Sequence, residues 1–337
     1  MKIILRLFLI FFCFALLTSC SRQNQNKVVI YTSVDRVFSE PILKTFQEKT
    51  GIKVEAVYDV EASKTTGLFN RLIAEAAHPK CDVFWNSEIV RTIILKQRGI
   101  LSPYRSPSAQ DIPPRFKDSE GYWTGFAARA RVLIYNSDIL KGKDLPKSIF
   151  DLTKPLWKGR VAMAFPLFGT TATHVAALWS YLGEGKTKRY LMALKENDTI
   201  IVNGNSVARD LVVKGRVPIA FTDTDDANSA IQKGKHVGVI FPDKEGIGTL
   251  FIPNTVSMIR DCPHPKEASI FIDYILSHEV ERSLAFSESA QIPVRTDVDR
   301  PKNIFPWSSV KAMEIDYEII AKNMEAAMNF CQDLFAR

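Results

Sequence analysis

The run Thr222-Asp223-Thr224-Asp225-Asp226 sets three carboxylates and two hydroxyls in five consecutive positions. Carboxylates are hard oxygen donors, and a group of them suits a hard cation whose remaining coordination is filled by water. The same oxygens accept hydrogen bonds from an ammonium group or from sugar hydroxyls. The glycine and terminal glutamate of an EF-hand loop are missing, so a dedicated calcium loop is not expected. Asp223 or Asp225 also has the type and place of a helix cap. A second polar run, Gly169-Thr170-Thr171-Ala172, opens a helical pattern. Backbone N–H groups, two hydroxyls and the positive end of the helix dipole make such a start attractive to phosphate or carboxylate. Ser63-Lys64-Thr65-Thr66 can act in the same way, with Lys64 as a point charge. An anion-binding wall facing a carboxylate wall suits a cation bound together with an anion, a sugar phosphate or an aminophosphonate.

These runs need elements to present them. Val217 to Phe221 is an apolar run that reads as a buried strand ending at the acidic loop. Near the start, Val28 to Thr32, Ile52 to Val57 and Cys81 to Trp85 read as strands, with helices over Phe38 to Thr50 and Thr66 to Ala77 between them. Alternation of this kind predicts a parallel α/β unit, whose ligands gather beyond the carboxyl ends of the strands. Loops holding Ser33 and Asp35, Ser63 and Lys64, and Ser87 and Glu88 fall there. From Gly125 the texture changes. Phe126 to Asn136 is a long strand, followed by strands at Val161 to Phe165, Asp198 to Asn203 and Val237 to Phe241, with helices from Gly169 to Trp179 and Ser206 to Val213. Gly248 to Ile259 alternates over a long span, and helices over Pro265 to Ser277, His278 to Phe286 and Val310 to Leu334 close the chain. Two α/β units joined by two crossing strands predict two lobes: residues 28–125 with 257–337, and residues 126–256. The ligand site is expected in the cleft. Of Arg129 and Arg131 on the first crossing strand, one is expected to reach the cleft and the other to be solvated. Trp85 and Tyr31, at strand ends, have the type to stack on a sugar and read first as core residues, and His174 reads as a packed or exposed residue rather than a ligand.

The amino terminus carries a different signal. Lys2 and Arg6 precede a long apolar stretch, and Leu17-Thr18-Ser19-Cys20 resembles a bacterial lipobox. The expectation is a lipoprotein signal over residues 1–19, lipidation at Cys20, a polar tether over 20–27 and a folded body on the periplasmic or cell-surface side of a bacterial membrane.

Composition narrows the function. The chain has 337 residues, 44 basic and 37 acidic, for a net charge of +7, and two of its basic residues lie in the leader. Basic residues are interspersed with acids, without the clustering that nucleic acid binding needs. Cys81, Cys262 and Cys331 are too few and too widely spaced for a disulfide framework or a metal site, although one bridge among them is open in an oxidising compartment. Neither a GxSxG nor an HExxH motif occurs, and no histidine neighbours the acidic run, so an enzyme is not expected.

The chain resembles the periplasmic solute-binding proteins of ABC importers, specifically the ferric-iron-binding type with the two-lobed type II fold. The likeness is carried by IYTSVDRVFSEPILKTFQEKTGIKVEAVY, CDVFWNSE, GRVAMAFPLFGTTATH, VKGRVPIAFTDTDDANSA, GTLFIPNTVSMI and HPKEASIFIDYILSHEVERSLAFSESAQIPV. It implies a monomer that closes its lobes about a small solute and hands it to a membrane permease with its ATPase. In that family ferric ion is held by adjacent tyrosines, often with a histidine and a glutamate, plus a synergistic anion. Glu88 falls where that glutamate lies, and Asp35 or Arg36 falls in the region of the histidine. The loop expected to hold the tyrosines is the acidic run, which contains none. The expected ligand-binding set is therefore Ser33, Asp35, Ser63, Lys64, Ser87, Glu88, Gly169, Thr170, Thr171, Asp223, Asp225 and Asp226. Glu88, Asp225 and Asp226 are the expected metal ligands, with ferric iron or another hard cation as cargo and no obligatory cofactor.

Overall fold

The structure, a computed structural model, describes residues 26–59, 66–302, 304 and 307–336. The leader, Cys20, most of the tether, and Ser63 and Lys64 lie outside the described residues. In chain order the elements are β1 (Lys27–Thr32), α1 (Arg36–Thr50), β2 (Lys53–Tyr58), α2 (Thr66–Ala74), β3 (Val83–Asn86), α3 (Val90–Gln97) and β4 (Leu101–Ser102). They continue with β5 (Thr124–Asn136), β6 (Val161–Ala164), α4 (Gly169–Leu182), α5 (Glu184–Glu196), β7 (Ile200–Val202), α6 (Asn205–Val213), β8 (Ile219–Asp223), α7 (Thr224–Gln232), β9 (Val237–Ile240) and β10 (Phe251–Ile259). The chain ends with α8 (Pro265–Ile275), α9 (His278–Phe286) and α10 (Tyr317–Phe335).

The strands follow one path, β2-β1-β3-β10-β5-β8-β6-β7, with β4 on β10 and β9 on β5. β1, β2 and β3 are parallel, as are β6, β7 and β8, and the two parallel groups meet through β10 and β5, which run antiparallel to each other. β5 pairs with β10 over its first half and with β8 and β9 over its second, so one strand belongs to both lobes. Buried parallel strands need apolar residues on both faces. Val161–Ala164 and Ile219–Asp223 are buried at every position. The residues that follow or end β1, β3, β6 and β8 include Asp35, Ser87, Gly169 and Asp223, which line one cavity.

One departure from the sequence reading has a clear cause. The final helix begins at Tyr317 rather than Val310, because residues 311–313 pair with Thr249 through Thr249 N–H to Lys311 O and Met313 N–H to Thr249 O. The side chain of Asp316 then caps the helix by accepting from Glu318 N–H at 2.8 Å. This helix, expected in the first lobe as part of 257–337, packs against both stretches of the chain, since Ile89, Val90 and Ile93 share its apolar cluster with residues of α4. Its Ile320, Met324 and Cys331 pack in one apolar cluster with Val175, Leu178 and Trp179 of α4. The amphipathic pattern of α10 specifies a buried face and says nothing of which lobe receives it.

Cys81, Cys262 and Cys331 are all buried and unbridged, so the open possibility of a disulfide is not realised among the described residues. Burial pushes the thiols of Cys262 and Cys331 up to about 12, which leaves them protonated and unreactive.

Candidate functional site

The acidic run sits where β8 becomes α7. Asp223 is the last residue of β8 and occupies the position before α7, yet its side chain makes no capping bond. It turns instead toward Arg131, whose Nη1 donates to Asp223 Oδ1 at 2.6 Å. The capping role expected of Asp223 is thereby corrected: a buried guanidinium outcompetes a backbone N–H for a carboxylate. Arg131 also donates to Thr170 Oγ1 and Thr171 Oγ1, each at 3.2 Å, and to Asn205 Oδ1 at 3.1 Å. Thr170 Oγ1 donates to Asp223 Oδ2 at 2.6 Å, and Asn205 Nδ2 to the same oxygen at 3.1 Å. One buried arginine on β5 thus ties together the starts of α4, α6 and α7.

The other two acids have arginine partners as well. Arg129 Nη1 lies 3.2 Å from Asp225 Oδ2, and Arg209 Nη1 lies 3.1 Å from Asp226 Oδ1. Arg129 and Arg131 are 5 % and 1 % exposed, so the expectation that one of them is solvated is corrected. Two positions apart on a strand, they share one face, and β5 passes between the two lobes and is covered there along its length. Nε of each is buried without a partner.

A small cavity opens at this point, lined by Asp35, Ser87, Arg129, Gly169, Thr170, Asn205, Ser206, Asp223, Asp225 and Asp226. The starts of α4, α6 and α7 converge on it, and the residue before each makes no side-chain cap. The first N–H groups of a helix have no acceptor within it, and they favour an anion. One carboxylate oxygen from each of Asp223, Asp225 and Asp226 lies within 4.8 Å of the others, a spacing that suits a single cation.

Of the expected residues, the structure brings Asp35, Ser87, Gly169, Thr170, Asp223, Asp225 and Asp226 to one cavity, with Thr171 bonded just behind it. Ser33 stands further back. It is 3 % exposed and donates to Asn86 Oδ1 at 2.7 Å, while accepting from Ser87 N–H at 2.8 Å, so it orients the Ser87 loop. Glu88 is corrected as a metal ligand. It is fully buried, and Oε2 accepts from Val90 N–H at 2.7 Å and Thr173 Oγ1 at 3.0 Å, while Oε1 accepts from Arg91 N–H at 3.0 Å and Asn86 Nδ2 at 3.2 Å. Its carboxylate caps α3, an element whose start carries no Ser, Thr, Asp or Asn of its own. Asn205 and Ser206 also line the cavity, and the sequence reading does not include them. Their signal in the chain is an Asn-Ser pair opening an apolar helix straight after a Gly.

Residues 93–323 match the bacterial extracellular solute-binding protein family, and this is more than half of the 337-residue chain. The chain belongs to that family. Among curated relatives it is similar to iron uptake protein A1 of a Synechocystis strain, at 26 % identity over 88 % of this chain and 86 % of the relative. It is similar also to an Fe(3+)-binding periplasmic protein of Serratia marcescens, at 25 % identity over 86 % of this chain and 85 % of the relative. Among solved structures, iron-bound HitA from Pseudomonas aeruginosa superposes with a TM-score of 0.83 at 25 % identity, over 92 % of this chain and 99 % of HitA. The two-lobed binding-protein fold expected from the sequence is the fold observed.

In this solute-binding protein His174 lies beneath the site, on α4, with its ring edge toward Phe221 at 6.5 Å between centroids. Burial, reinforced by the charge of Arg131, pulls its imidazole down to about 3. The unfolded chain takes up a proton near pH 6.5, which the folded chain refuses down to about 3. His174 therefore favours the fold fully above pH 6.5, and that contribution is lost as pH falls through the window, by up to about 1.4 kcal/mol per pH unit. Urea midpoints measured from pH 7 to pH 4 should show this slope, and His174→Phe should flatten it.

Proposed function

We propose that this solute-binding protein is the lipid-anchored, extracytoplasmic receptor of an ABC importer, and that its cargo is ferric iron or another hard cation held together with a synergistic anion. The observation that carries the reading is the convergence of the Asp223, Asp225 and Asp226 carboxylate oxygens within 4.8 Å of one another at a cavity bounded by three helix starts without side-chain caps. Iron is the cargo that the names of the two relatives above indicate. Carboxylates stand here in place of phenolates, and both are hard donors. Charge explains why an anion must accompany the metal. Each carboxylate already faces one guanidinium, so the cluster is close to neutral and a trivalent cation alone would leave it strongly positive. An anion on the starts of α4 and α6, near Gly169, Thr170 and Asn205, restores the balance. Residues 28–125 form one lobe with the segment that follows β10, residues 126–256 form the other, and closure about β5 and β10 buries the solute for delivery to the permease.

A second reading rests on the same arginines. Because all three carboxylates have cationic partners, the remaining capacity of the site is largely that of hydrogen-bond donors for an anion, which suits a sugar phosphate or an aminophosphonate. Native mass spectrometry with elemental analysis, on mature protein taken from its own envelope without chelators, separates the two. Stoichiometric iron supports the first reading. A metal-free protein carrying an organic phosphate overturns it in favour of the second.

A further inference from the structure

We propose that Asn254 is a positioning residue that couples the state of Asp225 in the cavity to the hinge between the lobes. This rests on the reading that Asp225 receives solute, and goes beyond it by naming the path from site to hinge. Arg129 divides its guanidinium between two partners: Nη1 faces Asp225 Oδ2 at 3.2 Å, and Nη2 donates to Asn254 Oδ1 at 3.0 Å. Asn254 is fully buried on β10, and its Nδ2 donates to Ala127 O at 2.5 Å and to Gln291 Oε1 at 2.6 Å.

Those two acceptors are hinge groups. Ala127 has φ +42°, a backbone state that L-residues adopt at a cost, and it stands in β5 between Phe126 and Arg129, which both pair with β10, shortly before the part paired with β8 begins at Arg131. Directly opposite, the register of β10 shifts between Ile252 and Asn254. The two peptide groups flanking the Ala127 Cα are both held, since the Ala127 N–H donates to buried Glu281 Oε1 at 3.1 Å and the Ala127 C=O accepts from Asn254. Gln291 adjoins Ile292, which exchanges two 2.7 Å backbone bonds with Ala128 across the same joint. One carboxamide therefore touches the arginine of the site, the strained strand and Gln291, the neighbour of the residue bridged to Ala128.

Arg129 cannot leave Asp225 without changing its hold on Asn254, because its Nε has no other partner and its side chain is 5 % exposed. A cation that takes Asp225 releases Nη1, and the guanidinium settles further onto Asn254 Oδ1. The polarised carboxamide then tightens on Ala127 O and Gln291. The site thereby biases an equilibrium between open and closed hinge states, which needs a differential contact of this kind.

The test is the distance distribution between spin labels at Lys44→Cys in α1 and Lys186→Cys in α5, read by double electron–electron resonance. Cys81, Cys262 and Cys331 are buried and do not compete for label, and every labelled protein starts at Ser21, without Cys13 and Cys20. Gallium(III) citrate with inorganic phosphate serves as a diamagnetic hard-cation probe. The unmodified hinge should shorten its distance with the probe, and Asn254→Ala should need at least 10-fold more gallium for half the change. Asn254→Asp keeps the size and the Arg129 contact but loses the amide donors, and should behave as Asn254→Ala does. In the absence of probe, Asp225→Asn should shift the distribution of the parent protein and leave that of Asn254→Ala unmoved. Equal shifts in both backgrounds would overturn the proposal. If gallium neither binds nor shortens the distance in the parent, the hard-cation reading fails, while the probe-free comparison still decides the role of Asn254.

Discussion

Replacing Asp225 and Asp226 together by Asn should lower affinity for ferric iron with phosphate by at least about 100-fold while the protein stays folded. The substitution keeps side-chain volume and hydrogen-bonding capacity and removes two negative charges at the cavity, where a hard cation needs anionic oxygen donors. It also removes the carboxylate partner of Arg129 and leaves Arg209 with Asp210 alone, which adds repulsion beside the cation site to the loss of ligands. The sign of the change separates the two readings of cargo. An anionic phosphorylated solute would bind the double variant as well as before or more tightly, since the same substitution makes the cavity more positive. Isothermal titration with ferric iron plus phosphate, and separately with fructose 6-phosphate, measures both, and undiminished iron binding would remove these aspartates from the site.

Arg131→Met is expected to be the most destabilising single change at the site, costing about 3–5 kcal/mol. Arg131 is 1 % exposed and Asp223 is 2 % exposed, so removing the guanidinium strands a charge that water cannot reach. Thr170, Thr171 and Asn205 lose a shared partner at the same time, and with it the joint between the starts of α4 and α6. Against a typical total stability of about 5–15 kcal/mol this is a large fraction. Urea denaturation measures it. Arg131→Met combined with Asp223→Leu should recover part of the loss, because a buried pair removed whole costs less than one removed by halves. A loss below about 1 kcal/mol would show that Asp223 finds another partner.

The same pair marks the boundary between what the chain spells out locally and what folding decides. Asp223, Asp225 and Asp226 stand out in the sequence as a concentration of charge after an apolar strand, and Thr170 and Thr171 as hydroxyls opening a helix. Local chemistry of this kind is written in consecutive residues. Alternating strand and helix patterns likewise imply the α/β lobes and the two crossing strands, since a period of two or of 3.6 is imposed by backbone geometry wherever one face is buried. Pairings between distant segments are not written that way. Arg129 and Arg131 have the spacing of residues on one face of a strand, which does not say what covers that face, and they are buried partners of Asp225 and Asp223 because β5 is sheathed by both lobes. Glu88 has the type and place of a metal ligand, and is committed instead to an α3 start that lacks a cap. The last helix has an evident apolar face, and α3 and α4 together receive it. In each case the residue's character is legible, while its partner depends on which surfaces the long-range contacts bring together. A carboxylate becomes a ligand, a cap or half of an ion pair according to which donor reaches it first, and that donor can lie 92 residues away, as Arg131 does from Asp223.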